Sequence, residues 1–194
     1  CLTEDMCRLF RDHAFRVGVS IDGPEELHNA YRKTRAGEGS FAATMAGIGL
    51  LKKHSIPFDT LTTVNRMNME KPREVYGFLR QLTDHMQFLP VVECVPAEFE
   101  TEDGQHFASP PGLRAFEIKH PLMDFSVSPE GYGCFLSAVF DLWKEKDAGR
   151  KHVQIIDVTL GNLRGIPSSL CVHNPLCGHS GCVEANGGVY SCDR

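Results

Sequence analysis

Short apolar segments alternate with helix-like segments through the first half of the chain, and this alternation constrains the fold more than any other feature. The apolar, partly β-branched runs 15–21, 57–64 and 87–93 predict three strands. Between them, apolar residues recur at helical spacing in 41–54 and 71–82. Strands that alternate with helices are typical of parallel βαβ units, whose crossovers are right-handed. The sequence therefore predicts an α/β fold, either a doubly wound sheet or part of a (β/α) barrel.

The second half of the chain is predicted to be less regular. Segment 94–127 is a long, proline-containing connection, and connections of this length are usually functional or insertions. A helix is predicted over 128–146 and a further strand over 153–158. The composition then changes to Cys, Gly, His and Asn, so we expect two domains, 1–168 and 169–194.

Composition and charge exclude several classes of protein. The chain has 194 residues, and no apolar run approaches the roughly 20 residues of a membrane span. Its net charge of −5 gives no general attraction to nucleic acid or anionic lipid. The acidic, polar segment 1–5 excludes an intact signal peptide. We expect a cytoplasmic protein with no membrane and no nucleic-acid partner.

Polar side chains follow each of the three predicted strands. In α/β sheets and barrels, ligands bind at the carboxyl ends of parallel strands. Ser20 and Asp22 could offer a hydroxyl and a carboxylate to a ribose or similar polyol, or they could form only a strand end and a turn. Arg32 or Arg35 could bind a carboxylate bidentately, or lie in an exposed loop. The candidates at the strand ends are Ser20, Asp22, Asn65 and Glu93.

Cysteines are concentrated near residue 194. Of eight cysteines, half fall in the last 24 residues, a distribution that favours metal binding in a reducing compartment over a disulfide framework. Segment 183–190 predicts a hairpin with Asn-Gly at its turn, which would let Cys192 approach Cys177. Convergent thiolates, normally four, hold iron–sulfur clusters or structural zinc; buried free cysteines are the alternative. Further candidate ligands are Cys182 and His179.

Several segments resemble one family of enzymes. Segment 17–28, VGVSIDGPEELH, resembles the segment after an early barrel strand in anaerobic sulfatase-maturating enzymes, which are radical S-adenosylmethionine proteins with a C-terminal SPASM (auxiliary-cluster) domain. Segments 74–80 and 87–93 are similar to later family segments in the same order. The SPASM pattern Cys-x9-Gly-x4-Cys is matched by Cys177, Gly187 and Cys192, with Cys171 upstream.

The resemblance implies a fold and a reaction. The fold is the second half of a partial (β/α)6 barrel followed by the first hairpin of a SPASM domain. The cofactors are S-adenosylmethionine and [4Fe–4S] clusters, two of them auxiliary. The reaction oxidises a Cys or Ser side chain of a sulfatase to formylglycine: a 5′-deoxyadenosyl radical removes a hydrogen from the β-carbon, a carboxylate takes a proton and an electron leaves through the auxiliary clusters. The implied partners are a sulfatase polypeptide and an electron donor such as flavodoxin or ferredoxin.

The resemblance also implies roles for particular residues. Ser20 and Arg32 correspond to cofactor-contacting residues, and Val92 falls near the adenine; with Asp22 they make up the predicted cofactor site. The implied ligands of the first auxiliary cluster are Cys171, Cys177 and Cys192. The residue corresponding to the proton acceptor is Asp193.

The chain departs from the family in ways that leave other functions open. It lacks the Cys-x3-Cys-x2-Cys motif and the Gly-Gly-Glu element, and the remaining SPASM cysteines would follow residue 194. We therefore expect an internal fragment that is inactive alone. A SPASM-type maturase that modifies small peptides is one alternative. A non-enzymatic zinc-binding module built on 171–192 is another.

Overall fold

The computed structural model describes residues 2–93, 122–175, 181–183 and 187–190. The chain divides into two compact units, Cys1–Val153 and Gln154–Arg194. The predicted assignment of domains, with a boundary near residue 168, stays a prediction. In the described ranges no helix is both long and apolar enough to cross a membrane.

The first unit contains five helices and four strands in its described residues. In chain order they are α1 (Glu4–Asp12), β1 (Val17–Ser20), α2 (Glu25–Tyr31), α3 (Phe41–Lys53), β2 (Phe58–Val64), α4 (Pro72–Leu82), β3 (His85–Pro90), α5 (Pro129–Lys146) and β4 (His152–Val153).

The four strands form one parallel sheet in the order β1-β2-β3-β4. Val17 is in register with Phe58 on β2, and Thr62 of β2 is in register with Phe88 on β3. Because every pairing is parallel, the carboxyl ends of the strands lie at one edge of the sheet. The predicted parallel α/β arrangement is confirmed, whereas its closure into part of a barrel stays a prediction.

The central strand β2 separates a buried face of the sheet from a more open one. Buried and half-exposed residues alternate along it, as the two-residue repeat of a strand requires. Its buried face carries two threonines, and Thr62 satisfies its hydroxyl by donating to the carbonyl of Ile21 at 2.7 Å. The neighbouring core includes an edge-to-face contact of Phe88 with Phe135 from α5, at 5.3 Å between ring centroids. The other face, which includes Leu61 and Thr63, is half-exposed in the described part of the chain.

A buried carboxylate joins α4 to the end of α5. Asp147, 2% exposed, accepts from Nε and Nη2 of Arg80 at 2.6 and 2.7 Å and from the hydroxyl of Tyr76 at 2.8 Å. The Arg80 guanidinium holds the pKa of Asp147 below its usual value. Burial, together with this carboxylate, raises the pKa of Tyr76. These three residues join α4 to the end of α5 and stabilise the packing of the two helices.

Two sequence-based expectations for helices and strands need correction. The predicted strand 153–158 is wrong, because only His152 and Val153 pair with β3. The chain then continues as α6 (Gln154–Leu163), where the Thr159 hydroxyl donates to the carbonyl of Ile155 at 2.7 Å, one helical turn back. Helix α1 was not predicted, although Thr3 accepts from the Met6 amide as an N-cap and acidic residues occupy the first turn.

The second unit contains short elements after α6. A 3₁₀ turn spans Cys171–His173, and two-residue strands β5 (Cys182–Val183) and β6 (Val189–Tyr190) pair antiparallel. The antiparallel pairing agrees with a hairpin, but Val183 pairs with Val189, whereas the predicted two-residue Asn-Gly turn over 183–190 would pair Val183 with Tyr190. Residues 184–186 of its turn lie outside the described residues, and the assignment to a SPASM domain stays a prediction.

Candidate functional site

A turn at the end of β1 places Asp22 at the carboxyl edge of the sheet. Gly23 has φ of 125°, a backbone conformation that favours glycine, and a Cβ there would lie 3.2 Å from Cγ2 of Val75. The predicted Asp-Gly turn is therefore present. It points the Asp22 carboxylate at the end of β2, where Oδ1 accepts from the backbone amide of Thr63 at 2.8 Å.

Asp22 and Arg32 form a buried, bidentate ion pair at this edge. Nε of Arg32 donates to Oδ2 at 2.6 Å, and Nη2 donates to Oδ1 at 3.0 Å. The Asp22 side chain is 3% exposed and that of Arg32 is 30% exposed. Two parallel bonds of this kind fix the plane of the guanidinium as well as its position.

Thr63 completes the contacts of the Arg32 guanidinium. Nη2 also donates to the Thr63 hydroxyl, at 2.7 Å. Within the described ranges, Nη1 has no hydrogen-bond partner, although Nε and Nη2 are both used. Arg32 thus keeps one nitrogen, carrying two N–H donors, available to a ligand.

The main chain around Arg32 is held by a buried histidine. His28, 1% exposed, accepts from the Asp22 amide through Nδ1 at 3.3 Å, so the ring proton lies on Nε2 and points to the Ser40 hydroxyl 3.0 Å away. Ser40 in turn donates to the carbonyl of Arg32 at 2.9 Å. Burial lowers the pKa of His28, with a smaller opposing effect of the Asp22 carboxylate. A neutral ring fits this chain of bonds, because Nδ1 must accept.

Two buried asparagines join the ends of β1 and β2. Nδ2 of Asn68 donates to the carbonyls of Asp22 and Thr63 at 3.1 and 2.9 Å. Asn65 and Asn68 also exchange side-chain-to-amide bonds, at 2.8 and 3.2 Å. Asn65, a candidate from the sequence, is 3% exposed and shapes the loop after β2.

The other cofactor candidates lie on or beyond the strands. Ser20 is exposed, and its register with Leu61 places it on the open face of the sheet that also carries Thr63. Among the described residues, nothing pairs with the Ser20 hydroxyl. Val92, just beyond β3, is half-buried. Glu93 uses its main chain, with its carbonyl accepting from the Met123 amide at 2.8 Å.

The predicted cluster ligands are only partly described. Cys171 is exposed within its 3₁₀ turn, and Cys182 is half-buried opposite Tyr190. Cys177, Cys192 and Asp193 lie outside the described residues. Within the described ranges there is no group of three or more potential metal ligands. The thiolate site therefore stays a prediction.

Sequence reasoning missed four members of the polar cluster. Ser40 is the N-cap residue of α3, but its side chain makes no capping bond; its hydroxyl instead contacts His28 and donates to the carbonyl of Arg32. His28 is the last residue of segment 17–28, VGVSIDGPEELH, so its place in that segment could have indicated that it belongs to the site. The missed residues are His28, Ser40, Thr63 and Asn68.

The fold and this cluster define an α/β protein with a polar cluster, a candidate ligand site, at the carboxyl edge of a parallel sheet. No protein-family model matches the chain. A serine-type anaerobic sulfatase-maturating enzyme of Bacteroides thetaiotaomicron is 44% identical over 100% of the chain, which covers 45% of that enzyme. A cysteine-type enzyme of Clostridium novyi is 28% identical over 99% of the chain, which covers 46% of it.

A solved structure of native anSMEcpe with bound AdoMet and Cp18Cys peptide matches 99% of the chain, and the match covers 48% of the length of that protein. Its TM-score is 0.80 and its sequence identity 26%. The chain is thus homologous along its whole length to part of the anaerobic sulfatase-maturating enzymes, radical S-adenosylmethionine proteins, and the resemblance seen in the sequence is confirmed. It spans about half the length of these relatives.

Proposed function

We propose that the protein oxidises a serine or cysteine side chain of a sulfatase to formylglycine by radical S-adenosylmethionine chemistry. The observation that carries this proposal is the 44% identity over the whole chain to a serine-type sulfatase-maturating enzyme. The peptide bound to the structural relative supports a polypeptide substrate. We propose an electron donor such as flavodoxin or ferredoxin as the second partner.

The carboxyl edge of the sheet fits the polar part of S-adenosylmethionine. Nη1 of Arg32 is available to a carboxylate, and the exposed Ser20 hydroxyl lies on the open face of the sheet. AdoMet is bound in the matching solved structure. We assign Ser20 and Arg32 to the cofactor's polar groups and Val92 to the neighbourhood of its adenine. When bound, the cofactor supplies the oxidising radical.

The other predicted site residues have three roles: positioning Arg32, accepting a proton and holding a cluster. Asp22 cannot readily contact a ligand, because its carboxylate is 3% exposed and already accepts three hydrogen bonds. We propose that it acts through Arg32. The Asp193 carboxylate is proposed to take the hydroxyl or thiol proton of the substrate as the β-carbon radical loses its electron, while the second β-hydrogen stays on the carbon that becomes the aldehyde. With a cysteine substrate, water then hydrolyses the thioaldehyde and hydrogen sulfide leaves. Cys171, Cys177 and Cys192 are proposed to hold an auxiliary [4Fe–4S] cluster beside it.

The proposal is tested by product formation. The full-length protein, with its clusters reconstituted without oxygen, is incubated with S-adenosylmethionine, a reductant and a peptide carrying Ser-x-Pro-x-Arg or Cys-x-Pro-x-Arg. We expect an aldehyde at the Ser or Cys position, detected by mass spectrometry and by hydrazide capture. A peptide with Ala at that position is the control. S-adenosylmethionine cleavage with no aldehyde on either peptide would contradict the proposed substrate.

A further inference from the structure

The guanidinium of Arg32 is more tightly held than an ordinary loop arginine. Three of its hydrogen bonds, of 2.6 to 3.0 Å, go to Asp22 and Thr63. Its carbonyl is held separately by Ser40, which contacts His28. The residue thus has little freedom at either its side chain or its main chain.

We propose that Asp22 is a positioning residue, which orients Arg32 so that Nη1 meets the carboxylate of the bound cofactor. Thr63 assists by fixing Nη2. The inference rests on the proposed S-adenosylmethionine site. It assigns to Asp22 no contact with the cofactor and makes its effect pass entirely through Arg32.

The hydrogen-bond inventory supports this division of roles. A guanidinium has five N–H donors in a rigid fork. Asp22 takes the Nε edge and Asp22 with Thr63 take Nη2, so ligand binding is confined to Nη1. Without Asp22, Arg32 could rotate about its flexible side chain and would lose that preference.

The charge balance at the site points the same way. Asp22 neutralises most of the long-range field of Arg32, because their charged atoms lie 2.6 Å apart. A carboxylate ligand is therefore held by a directed hydrogen bond more than by net charge. Affinity should then depend on the orientation of Arg32, which is what Asp22 and Thr63 control.

An Asp22→Asn substitution separates orientation from shape. The amide oxygen can still accept from the Thr63 amide and from Nη2, but the amide nitrogen would face the Nε–H donor. Two donors would then oppose each other, and the guanidinium would turn away. Thr63→Val is a milder second variant, because it removes one acceptor while keeping a β-branched side chain.

The test measures cofactor affinity in the full-length protein with reconstituted clusters, by equilibrium dialysis. Two probes are compared, S-adenosylmethionine and its decarboxylated analogue. We expect Asp22→Asn to weaken S-adenosylmethionine binding about tenfold, the effect of losing one charge-assisted hydrogen bond. Binding of the decarboxylated analogue should change by less than about twofold, since the group that Arg32 meets is absent.

Arg32→Gln and the double variant Asp22→Asn/Arg32→Gln test whether Asp22 acts through Arg32. If Asp22 acts through Arg32, adding Asp22→Asn to Arg32→Gln weakens binding no further. Asp84→Asn is the matched control, because Asp84 is exposed and pairs with Lys151 elsewhere on the sheet. It should leave both affinities unchanged.

The outcomes separate this inference from the proposed function. If Arg32→Gln leaves S-adenosylmethionine affinity unchanged, the proposed site itself is wrong. If Arg32→Gln weakens binding but Asp22→Asn and Thr63→Val do not, only the positioning role is wrong. Equal weakening of both probes by Asp22→Asn would show general damage to the site and would also overturn the inference. Should Asp22→Asn fail to fold, Thr63→Val gives the same comparison, with an expected loss of roughly threefold.

Discussion

Arg80→Ala should destabilise the protein by stranding a buried carboxylate. The Asp147 side chain is 2% exposed, and among the described residues its carboxylate keeps only the Tyr76 hydroxyl as a donor once Arg80 is gone. Removing one partner of a buried ion pair costs about 3–5 kcal/mol. Arg80 is 32% exposed, so water can reach the vacated space, and we reduce the expected cost to about 2–3 kcal/mol.

The assay is thermal unfolding of the full-length protein followed by far-UV circular dichroism. A loss of this size should lower the unfolding midpoint by roughly 2–4 °C for a protein about twice the length of this chain. Tyr76→Phe removes one neutral donor and should cost less, about 1 kcal/mol. Arg11→Ala is the control, because the Arg11–Asp12 pair is more than half exposed. An Arg80→Ala midpoint equal to that of this control, or a larger loss of stability in Tyr76→Phe than in Arg80→Ala, would contradict the proposed stabilising role of the Arg80–Asp147 pair.

The remaining predictions concern pH, the cofactor and the thiolates. Burial lowers the pKa of His28 below its ordinary 6.5, so its neutral form stabilises the folded state above pH 6.5, and this stability is lost as pH falls below that value. The unfolding midpoint of His28→Asn should therefore vary less with pH below 6.5 than that of the wild type. Equal dependence of the two midpoints on pH would refute this. Ser20→Ala and Arg32→Ala should each weaken S-adenosylmethionine binding without loss of iron, and unchanged affinity in both would remove them from the site. Asp193→Asn should keep its iron and still cleave S-adenosylmethionine, but its rate of formylglycine formation should fall by ~10²–10⁴-fold. Cys192→Ala should instead lose auxiliary iron. A wild-type rate of product formation in Asp193→Asn would mean that another group takes the proton.

The sequence predicted the strands well where local pattern and tertiary packing agree. β2 runs from Phe58 to Val64, within one residue of the predicted 57–64. β3 was predicted over 87–93 but spans His85–Pro90, because the chain beyond Pro90 pairs with a distant segment. The Val127 amide donates to the carbonyl of Val91 at 2.8 Å, a contact that no local pattern encodes.

The strand predicted over 153–158 failed for a related reason. Its Val and Ile residues have high β propensity, but propensity is weak against tertiary context. Only two residues find a partner on β3, and the rest of the segment satisfies its main chain as α6. Periodicity in so short an apolar run does not separate a strand from a helix.

The location of the candidate site could be predicted from the sequence, but the hydrogen bonds between its residues could not. Parallel strands placed Ser20 and Asp22 at the carboxyl edge, and the resemblance assigned Arg32, one of two candidate arginines, to the same site. The contact of Arg32 with Thr63 spans 31 residues of sequence and depends on strand register, which the residue pattern does not fix. Asp22 was predicted to bind a ligand directly because the sequence does not show its partners within the protein. In the structure its carboxylate already accepts three hydrogen bonds, from Arg32 and Thr63.

Hydrogen transfer from the substrate tests the central claim most directly. The full-length protein with reconstituted clusters is given S-adenosylmethionine and a sulfatase peptide whose target serine is deuterated at the β-carbon. We expect deuterium in the 5′-deoxyadenosine that is released, together with formylglycine in the same peptide, as read by mass spectrometry. Formylglycine that forms while the 5′-deoxyadenosine stays free of deuterium would contradict it.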